Sequence, residues 1–394
     1  MAKVPIPPVL ALLVGLAAPA MAGDALPALR IDLGRTTVSG LSSGAYMAGQ
    51  FHLAFSGEVA GAGIVAGGPY GCAEGRLELA LRRCMADELG PPDPVALAAL
   101  AAARAAAGEI DPLANLADDR LYLFSGTADR TVLPAVAATV PAFYAALGVP
   151  AASVRAETGM AAGHGFATTD GPVACDLTGP PFVNDCDLDQ AGAILAQLVG
   201  PLQPPAAATG APARFDQARY LADPLPRGMA AEGRVYVPAS CAAGALCRVH
   251  ILFHGCQQSE AAVGAAVTVG AGYNRWAESN GIVVLYPQAA ATWSNPKGCW
   301  DWWGYTGQRY PTRDGVQVAA VHRMLLALAG RDDGTRPACV RHADWYWRHW
   351  SQGRAVPCAW GLCAAGSGAP LLPWLGRVEV IEQPPGFYAT GSCP

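Results

Sequence analysis

A serine, an aspartate and a histidine occur in this chain in settings that suit covalent acyl transfer. Ser42 is the centre of Gly40-Leu41-Ser42-Ser43-Gly44, a Gly-x-Ser-x-Gly box. The residues before the box, RTTV (35–38), are β-branched and predict a strand. Those after it, 43–55, carry Tyr46, Met47, Phe51 and Phe55 at helical spacing. A strand, a tight turn and a helix form the setting in which such a serine is a nucleophile. The small residues permit the sharp turn. The helix N-terminus directs N–H groups and partial positive charge at a developing oxyanion.

The other two groups follow in the chain. Asp129 lies on the turn after RLYLFSG (120–126), an expected strand. Open α/β sheets carry ligand and catalytic groups outside the carboxyl ends of their strands. His164 stands between Gly163 and Gly165, a setting that none of the other histidines shares and that lets its loop approach another backbone closely. Each residue type has a task. A serine hydroxyl is a weak nucleophile until a base removes its proton. Imidazole titrates near neutrality, so it accepts that proton and later delivers it to the leaving alcohol. A carboxylate fixes the imidazole tautomer and stabilises the imidazolium. The order Ser42, Asp129, His164 is the triad order of α/β hydrolases.

The elements that must position these groups alternate in type. Strands are expected at 62–68, 120–126, 233–238, 247–255 and 281–288, and helices at 93–108, 190–200, 260–279 and 314–330. Such alternation predicts a mostly parallel sheet flanked by helices. Residues 201–213 form a Pro/Ala-rich linker. The His-Gly motif that usually precedes the elbow in a hydrolase occurs here only in VHILFHGCQQS (249–259), well after His164. This order predicts a circular permutation in which residues 201–213 join the old ends and the new start lies just before the elbow. Exposed chain ends tolerate such rearrangement.

Composition bounds the partners. A net charge of -5 and the absence of basic clusters argue against nucleic acid. At 52% hydrophobic, the chain can build a large core. Lys3, the apolar run VLALLVGLAAPA (9–20) and Ala20-Met21-Ala22 predict a signal peptide over residues 1–22, cleaved near Ala22. The run is too short to span a bilayer well, so a secreted or periplasmic protein without a membrane anchor is expected. The 12 cysteines all follow that segment and predict disulfides. No Cys-x-x-Cys pair occurs, and neither a metal site nor a cofactor is expected.

Six motifs, in order, are SGLSSGAYMA (39–48), SGTADRTV (125–132), GHGF (163–166), PPFVNDCDLDQAG (180–192), CRVHILFHGCQQS (247–259) and GCWDWWGYTG (298–307). With them the chain resembles the extracellular poly(3-hydroxybutyrate) depolymerases that have a permuted catalytic domain. The resemblance covers residues 35–330. It implies a circularly permuted α/β-hydrolase fold over residues 23–330, with a mostly parallel sheet flanked by helices. It also implies a serine hydrolase acting on polyester chains of 3-hydroxybutyrate, with an oxyanion hole made by the backbone N–H groups of Ser43 and Cys256. Many extracellular members carry a linker domain and a polymer-binding domain at the C-terminus. Residues 331–394 match neither, and with four cysteines and WYWRHW (345–350) they predict a disulfide-tied extension. That stretch is expected to pack against the hydrolase rather than to form a second adhesive patch.

Further expectations concern substrate and cross-links. Trp300, Trp302, Trp303 and Tyr305 cluster on one loop and are expected to bind substrate, because an aromatic face suits an uncharged, methyl-bearing repeat. Disulfides are expected at Cys72–Cys84, Cys175–Cys186 and Cys241–Cys247, each closing a short loop, and at Cys256–Cys299, tying the hole loop to the aromatic loop. Cys339, Cys358, Cys363 and Cys393 pair among themselves in one of three ways. The protein is expected to act as a monomer. Two other readings stand beside the polyesterase: a feruloyl or acetylxylan esterase of the same mechanism, and a non-catalytic binding module on the hydrolase fold.

Overall fold

Eight strands make one sheet: β1 (Thr36–Leu41), β2 (Val59–Val65), β3 (Arg120–Phe124), β4 (Val154–Glu157), β5 (Ala213–Asp216), β6 (Glu232–Tyr236), β7 (Arg248–Phe253) and β8 (Ile282–Tyr286). Their order across the sheet is β4-β3-β2-β1-β7-β8-β6-β5. All neighbours are parallel except β6, which is antiparallel to both β8 and β5. The computed structural model describes residues 24–221, 228–332, 340–358, 361–371, 377–382 and 388–390. The expected signal peptide and two cysteines, Cys339 and Cys393, lie outside the described residues.

Successive strand residues point to opposite faces, and the strands are apolar on both. Leu121, Leu123, Ile251 and Phe253 join one core with the helices α1 (Ser43–Ala54), α2 (Pro94–Ala106) and α5 (Val316–Leu328). Tyr122, Phe124, Leu252 and Val284 join the other core with α3 (Gln190–Val199) and α4 (Tyr273–Asn280). All residues of α1 are buried, which explains why its sequence shows no polar face. α2 starts where Asp93 accepts the Val95 and Ala96 N–H groups and Pro94 occupies the first turn.

The connectivity is that of a circular permutation. β1 comes first in the chain yet lies at the centre of the sheet, while β4 and β5, adjacent in sequence order, occupy opposite edges. The mostly exposed residues 201–211 make that crossing over α4: Gln203 exchanges hydrogen bonds with the Asn280 side chain, and the Ala206 N–H donates to Arg275 O. At the other junction the Leu29 N–H donates to Leu328 O at 2.7 Å, so the segment leading into β1 meets the end of α5. An unpermuted chain would pass directly between them.

Residues 260–279, expected as one helix, divide into the turn Glu260–Val263, a 3-10 turn Gly264–Ala266 and α4. Gly264 (φ 62°) and Gly272 (φ 87°) sit in left-handed backbone and break the run. The C-terminal residues also hold more structure than expected. Val340–Trp345, Arg377–Glu382 and Tyr388–Thr390 form an antiparallel sheet, and Ala355–Cys358 pairs with Gly361–Ala364 in a hairpin closed by Cys358–Cys363. They enclose their own small core, including Ala355, Leu371 and Val380. Within the helix Tyr346–Ser351 only His349 is buried, whereas Trp347 and Trp350 are each 58% exposed. The expectation that WYWRHW packs inward is therefore corrected: three of its rings, with Trp345, stay at the surface. Among the described residues, no helix is long and apolar enough to cross a membrane.

Candidate active site

β1 delivers Ser42 to the carboxyl edge of the sheet, and α1 begins at the next residue. Ser42 has φ 58° and ψ -121°, a conformation that non-glycine residues rarely adopt. Neighbouring contacts hold it there. Its N–H donates to Val65 O, and its carbonyl accepts from Ala45 and Tyr46. The turn is tight because two glycines let backbones touch. A Cβ on Gly40 would lie 2.2 Å from Gly44 O, and one on Gly44 would lie 2.2 Å from Phe253 O. The glycines of the box thus bring the start of α1 onto the end of β7.

Asp129 and His164 arrive from the other side. β3 pairs with β2, which pairs with β1, so the ends of β1 and β3 lie about 9.5 Å apart. The turn after β3 carries Asp129, fully buried. Its Oδ1 accepts the Thr131 and Val132 N–H groups at 2.7 and 3.1 Å, and its Oδ2 pairs with His164 Nδ1 at 2.7 Å. His164 is fastened from below. Its own N–H donates to Thr178 Oγ1, and the Gly163 N–H donates to Cys175 O, within the loop closed by Cys175–Cys186. Ser42 and His164 keep 8% and 4% exposure, enough for a mouth and little more. Among the described residues no hydrogen bond joins Ser42 Oγ to His164. Serine–histidine bonds of this kind often tighten only when substrate docks.

The expected hole residues lie on the opposite flank. Ser43 is the first residue of α1, where the N–H has no intrahelical acceptor. Cys256 stands on the turn after β7, whose Phe253 is level with Gly40 of β1. Several side chains hold this turn. His254 donates from Nδ1 to Gly255 O and accepts the Ala289 N–H at Nε2. Burial pushes its imidazole down to about 4, so it stays neutral and keeps both roles. Gln258 accepts the Gly255 N–H and donates to Pro181 O and Phe182 O, bridging the Cys256 turn to the histidine side.

Cys256–Cys299 joins that turn to the aromatic loop, and Cys72–Cys84, Cys175–Cys186 and Cys241–Cys247 are also bonded. The Trp300 N–H donates to Ser43 Oγ at 3.3 Å, a second link from the loop to the elbow. The four aromatics divide. Trp300 is fully enclosed, edge-on to Phe253, and Trp302, 6% exposed, stacks on Tyr46 at 4.4 Å. Trp300, with no exposed surface, is a core residue, which corrects the expectation that it touches substrate; the exposure of Trp302 lies between those of His164 and Ser42. Trp303 and Tyr305 are half-buried, 4.8 Å apart between ring centres.

Three polar residues that hold the site escaped the sequence reading. Asp301 accepts from the N–H groups of Gly304, Tyr305 and Thr306 and from the Thr306 hydroxyl, winding the aromatic loop around one carboxylate. Burial pushes that carboxyl up, and these hydrogen bonds pull it back. Asn184 donates to the carbonyls of Ala174, Cys175 and Leu177 beneath His164. Gln258 is the third. All lie inside motifs already singled out, but their partners are visible only in three dimensions.

Comparison with known proteins agrees with this architecture. No family model matches the chain. A poly(3-hydroxybutyrate) depolymerase of Delftia acidovorans is 43% identical over 318 residues, covering 79% of this chain and 63% of that protein. The chain thus spans under two thirds of that relative. A polyhydroxybutyrate depolymerase of Talaromyces funiculosus is 36% identical, over 79% of this chain and 94% of that one. The crystal structure of the PHB depolymerase from Penicillium funiculosum superposes with a TM-score of 0.71 at 33% identity, covering 78% of this chain and all of that one. A PHB depolymerase variant complexed with an R3HB trimer matches equally well, with a TM-score of 0.71. With a buried Asp–His pair and a strained serine elbow on a permuted hydrolase sheet, the chain belongs to the polyhydroxybutyrate depolymerase family.

Proposed function

We propose that this protein is an exported serine esterase that cleaves poly(3-hydroxybutyrate)-type polyesters or their oligomers. One observation carries the reading: Ser42 is held at φ 58° between β1 and α1, on the sheet edge that also presents the Asp129–His164 pair. The R3HB trimer bound by a related depolymerase supports the substrate class.

The chemistry follows from these groups. His164 Nε2 takes the Ser42 hydroxyl proton as Oγ attacks the ester carbonyl carbon. Negative charge moves to the carbonyl oxygen, where the Ser43 and Cys256 N–H groups stabilise it. The carbonyl re-forms, the ester C–O bond breaks, and His164 protonates the departing alkoxide oxygen, which leaves as the hydroxyl of the next unit. Water, deprotonated by His164, then cleaves the acyl-enzyme and releases a free acid and Ser42. Asp129 holds Nδ1–H throughout, so Nε2 stays free to accept. Trp303 and Tyr305, the half-exposed members of the aromatic loop, contact the polyester chain.

Residues 1–22 act as a cleaved export signal. Residues 23–330 form the catalytic domain, residues 331–394 form an appended unit, and the protein acts as a monomer. The test compares purified wild-type and Ser42→Ala protein on poly(3-hydroxybutyrate) film, on a soluble short-chain ester and on a ferulate ester. Film clearing and fluorophosphonate labelling by the wild type alone are expected. Ferulate hydrolysis without film clearing would move the substrate to plant-wall esters, and labelling of the Ser42→Ala variant would refute the nucleophile.

A further inference from the structure

Three arginines stand at the amino ends of the central strands, on the edge of the sheet opposite Ser42. Arg248 opens β7, Arg120 opens β3, and Arg35 ends the 3-10 turn that leads into β1. These strands lie in the order β7, β1, β2, β3, so their ends span three strand spacings, about 14 Å. Side chains two apart along a strand share a face. Arg120 therefore follows Tyr122, and Arg248 follows His250, onto the face that α3 covers. Tyr122 packs in the core beneath α3, and His250 stacks on Tyr273 of the same core.

The guanidinium groups converge where α3 ends. Arg248 Nη1 donates to Val199 O at 3.5 Å, and a Cβ on the next residue, Gly200, would lie 3.5 Å from Arg120 Nη1. Arg35, Arg120 and Arg248 line one cavity of about 180 Å³, with Ala60 and Leu198 among its apolar walls. Elsewhere exposed arginines meet carboxylates: Arg76 and Arg83 pair with Glu74, Arg82 with Glu78 and Arg313 with Asp111. Among the described residues, none of the three cavity arginines forms such a pair. Asp118 also lines the cavity and leaves its wall net positive. Burial, and then the charge of Arg35, hold the Arg248 guanidinium below its ordinary range, while Asp32 pulls it back. In a chain of net charge -5, like charges crowded without a counter-charge are uncompensated in the empty cavity.

We propose that this cavity binds a small oxyanion, held by the guanidinium forks of Arg35, Arg120 and Arg248. A guanidinium donates two parallel N–H groups, a geometry that matches carboxylate and phosphate oxygens and not a spherical chloride. The volume lies below the roughly 300–1,000 Å³ of drug-sized sites, so the occupant is small. Inorganic phosphate and a short carboxylic acid share this chemistry. The inference stands apart from the esterase reading, because the cavity lies at the end of the sheet away from Ser42.

The experiment titrates inorganic phosphate and, separately, 3-hydroxybutyrate into the full-length protein by calorimetry, at constant ionic strength balanced with chloride. One saturable site is expected. Arg120→Gln and Arg35→Gln should each weaken binding at least about tenfold, the loss of one charge-assisted contact. Without the anion, their melting should hold or rise, because a crowded charge is gone, and soluble-ester kcat should be unchanged. Arg82→Gln, on a paired surface arginine, should bind as the wild type does. Binding of phosphate alone supports the site and makes its occupant inorganic. Tighter binding of 3-hydroxybutyrate supports it and makes the occupant a free acid of the kind the proposed reaction releases. Absence of saturable binding by either anion overturns the inference. So does wild-type affinity in both Arg120→Gln and Arg35→Gln. Loss of ester hydrolysis in the wild type would bear on Ser42 alone and leave the anion site standing.

Discussion

Replacing Asp129 by Asn changes one atom and, by the geometry of the site, one proton. Asp129 is fully buried, and its Oδ1 accepts two backbone N–H groups, from Thr131 and Val132. An asparagine must keep its carbonyl oxygen there, because turning the amide would set two N–H donors against an NH2 group. Each orphaned backbone donor costs about 1–3 kcal/mol in a buried site. The NH2 group therefore faces His164 Nδ1, now 2.7 Å from Oδ2, and donates to it. The imidazole proton moves to Nε2, which can no longer accept from Ser42. The equivalent change in a serine protease lowers kcat about 10⁴-fold. The same loss here amounts to about 5.4 kcal/mol at 1.36 kcal/mol per decade. The assay is kcat on a soluble ester, with melting measured in parallel. A folded Asp129→Asn enzyme keeping more than a tenth of wild-type kcat would refute the tautomer argument and the role of Asp129.

Other outcomes follow from the same contacts. Cys256–Cys299 closes a separation of 43 residues, so a Cys256→Ala/Cys299→Ala variant should lose about 4 kcal/mol in urea unfolding. Its kcat should also fall, because the hole turn loses its tie to the aromatic loop; an unchanged kcat would show that the bond does not position the hole. Burial pushes the His250 and His254 imidazoles down to about 3 and about 4, below their unfolded value. Their contribution to stability is then complete above about pH 6.5 and is lost as pH falls to about 4 for His254 and about 3 for His250, where the unfolded chain binds protons the folded one refuses. NMR titration should find both rings neutral at pH 5, and a charged ring there contradicts the assignment. Trp302→Ala removes a stacked core ring and should cost about 3–5 kcal/mol with equal loss on film and soluble ester. Trp303→Ala should cost less stability than Trp302→Ala, because the ring is only half-buried, and impair film hydrolysis more than soluble-ester hydrolysis; equal losses in both assays would place Trp303 in the core as well.

Much of this site was legible in the residues alone, because the signals are local. The strained elbow is written in the glycines around Ser42, and the alternating apolar runs specify strands whose carboxyl ends lead to Ser42 and Asp129. The cysteines lie at spacings that the fold then closes, and the Pro/Ala linker marks the permuted join. Local signals also misled: the apolar run at 260–279 outweighed Gly264 and Gly272, whose left-handed backbone breaks it.

Only the folded chain could decide which aromatic rings meet water. Composition treats Trp293, Trp300, Trp302 and Trp347 alike. Burial is a property of neighbours distant in sequence, so Trp300 disappears against Phe253 and Trp302 against Tyr46, while Trp293 and Trp347 find no such surface. The same holds for Asp301, Asn184 and Gln258. Each looks like a loop polar residue in the sequence. Each gains its role by satisfying carbonyls and N–H groups that come together only when the sheet closes and would cost free energy if left unpaired. The sequence by itself determined the serine elbow, the chain order of Ser42, Asp129 and His164 and the permuted sheet, because period, turn chemistry and spacing are encoded along the chain. The tertiary structure alone decided how the aromatic loop divides between core and surface, because that depends on which surfaces the fold brings together.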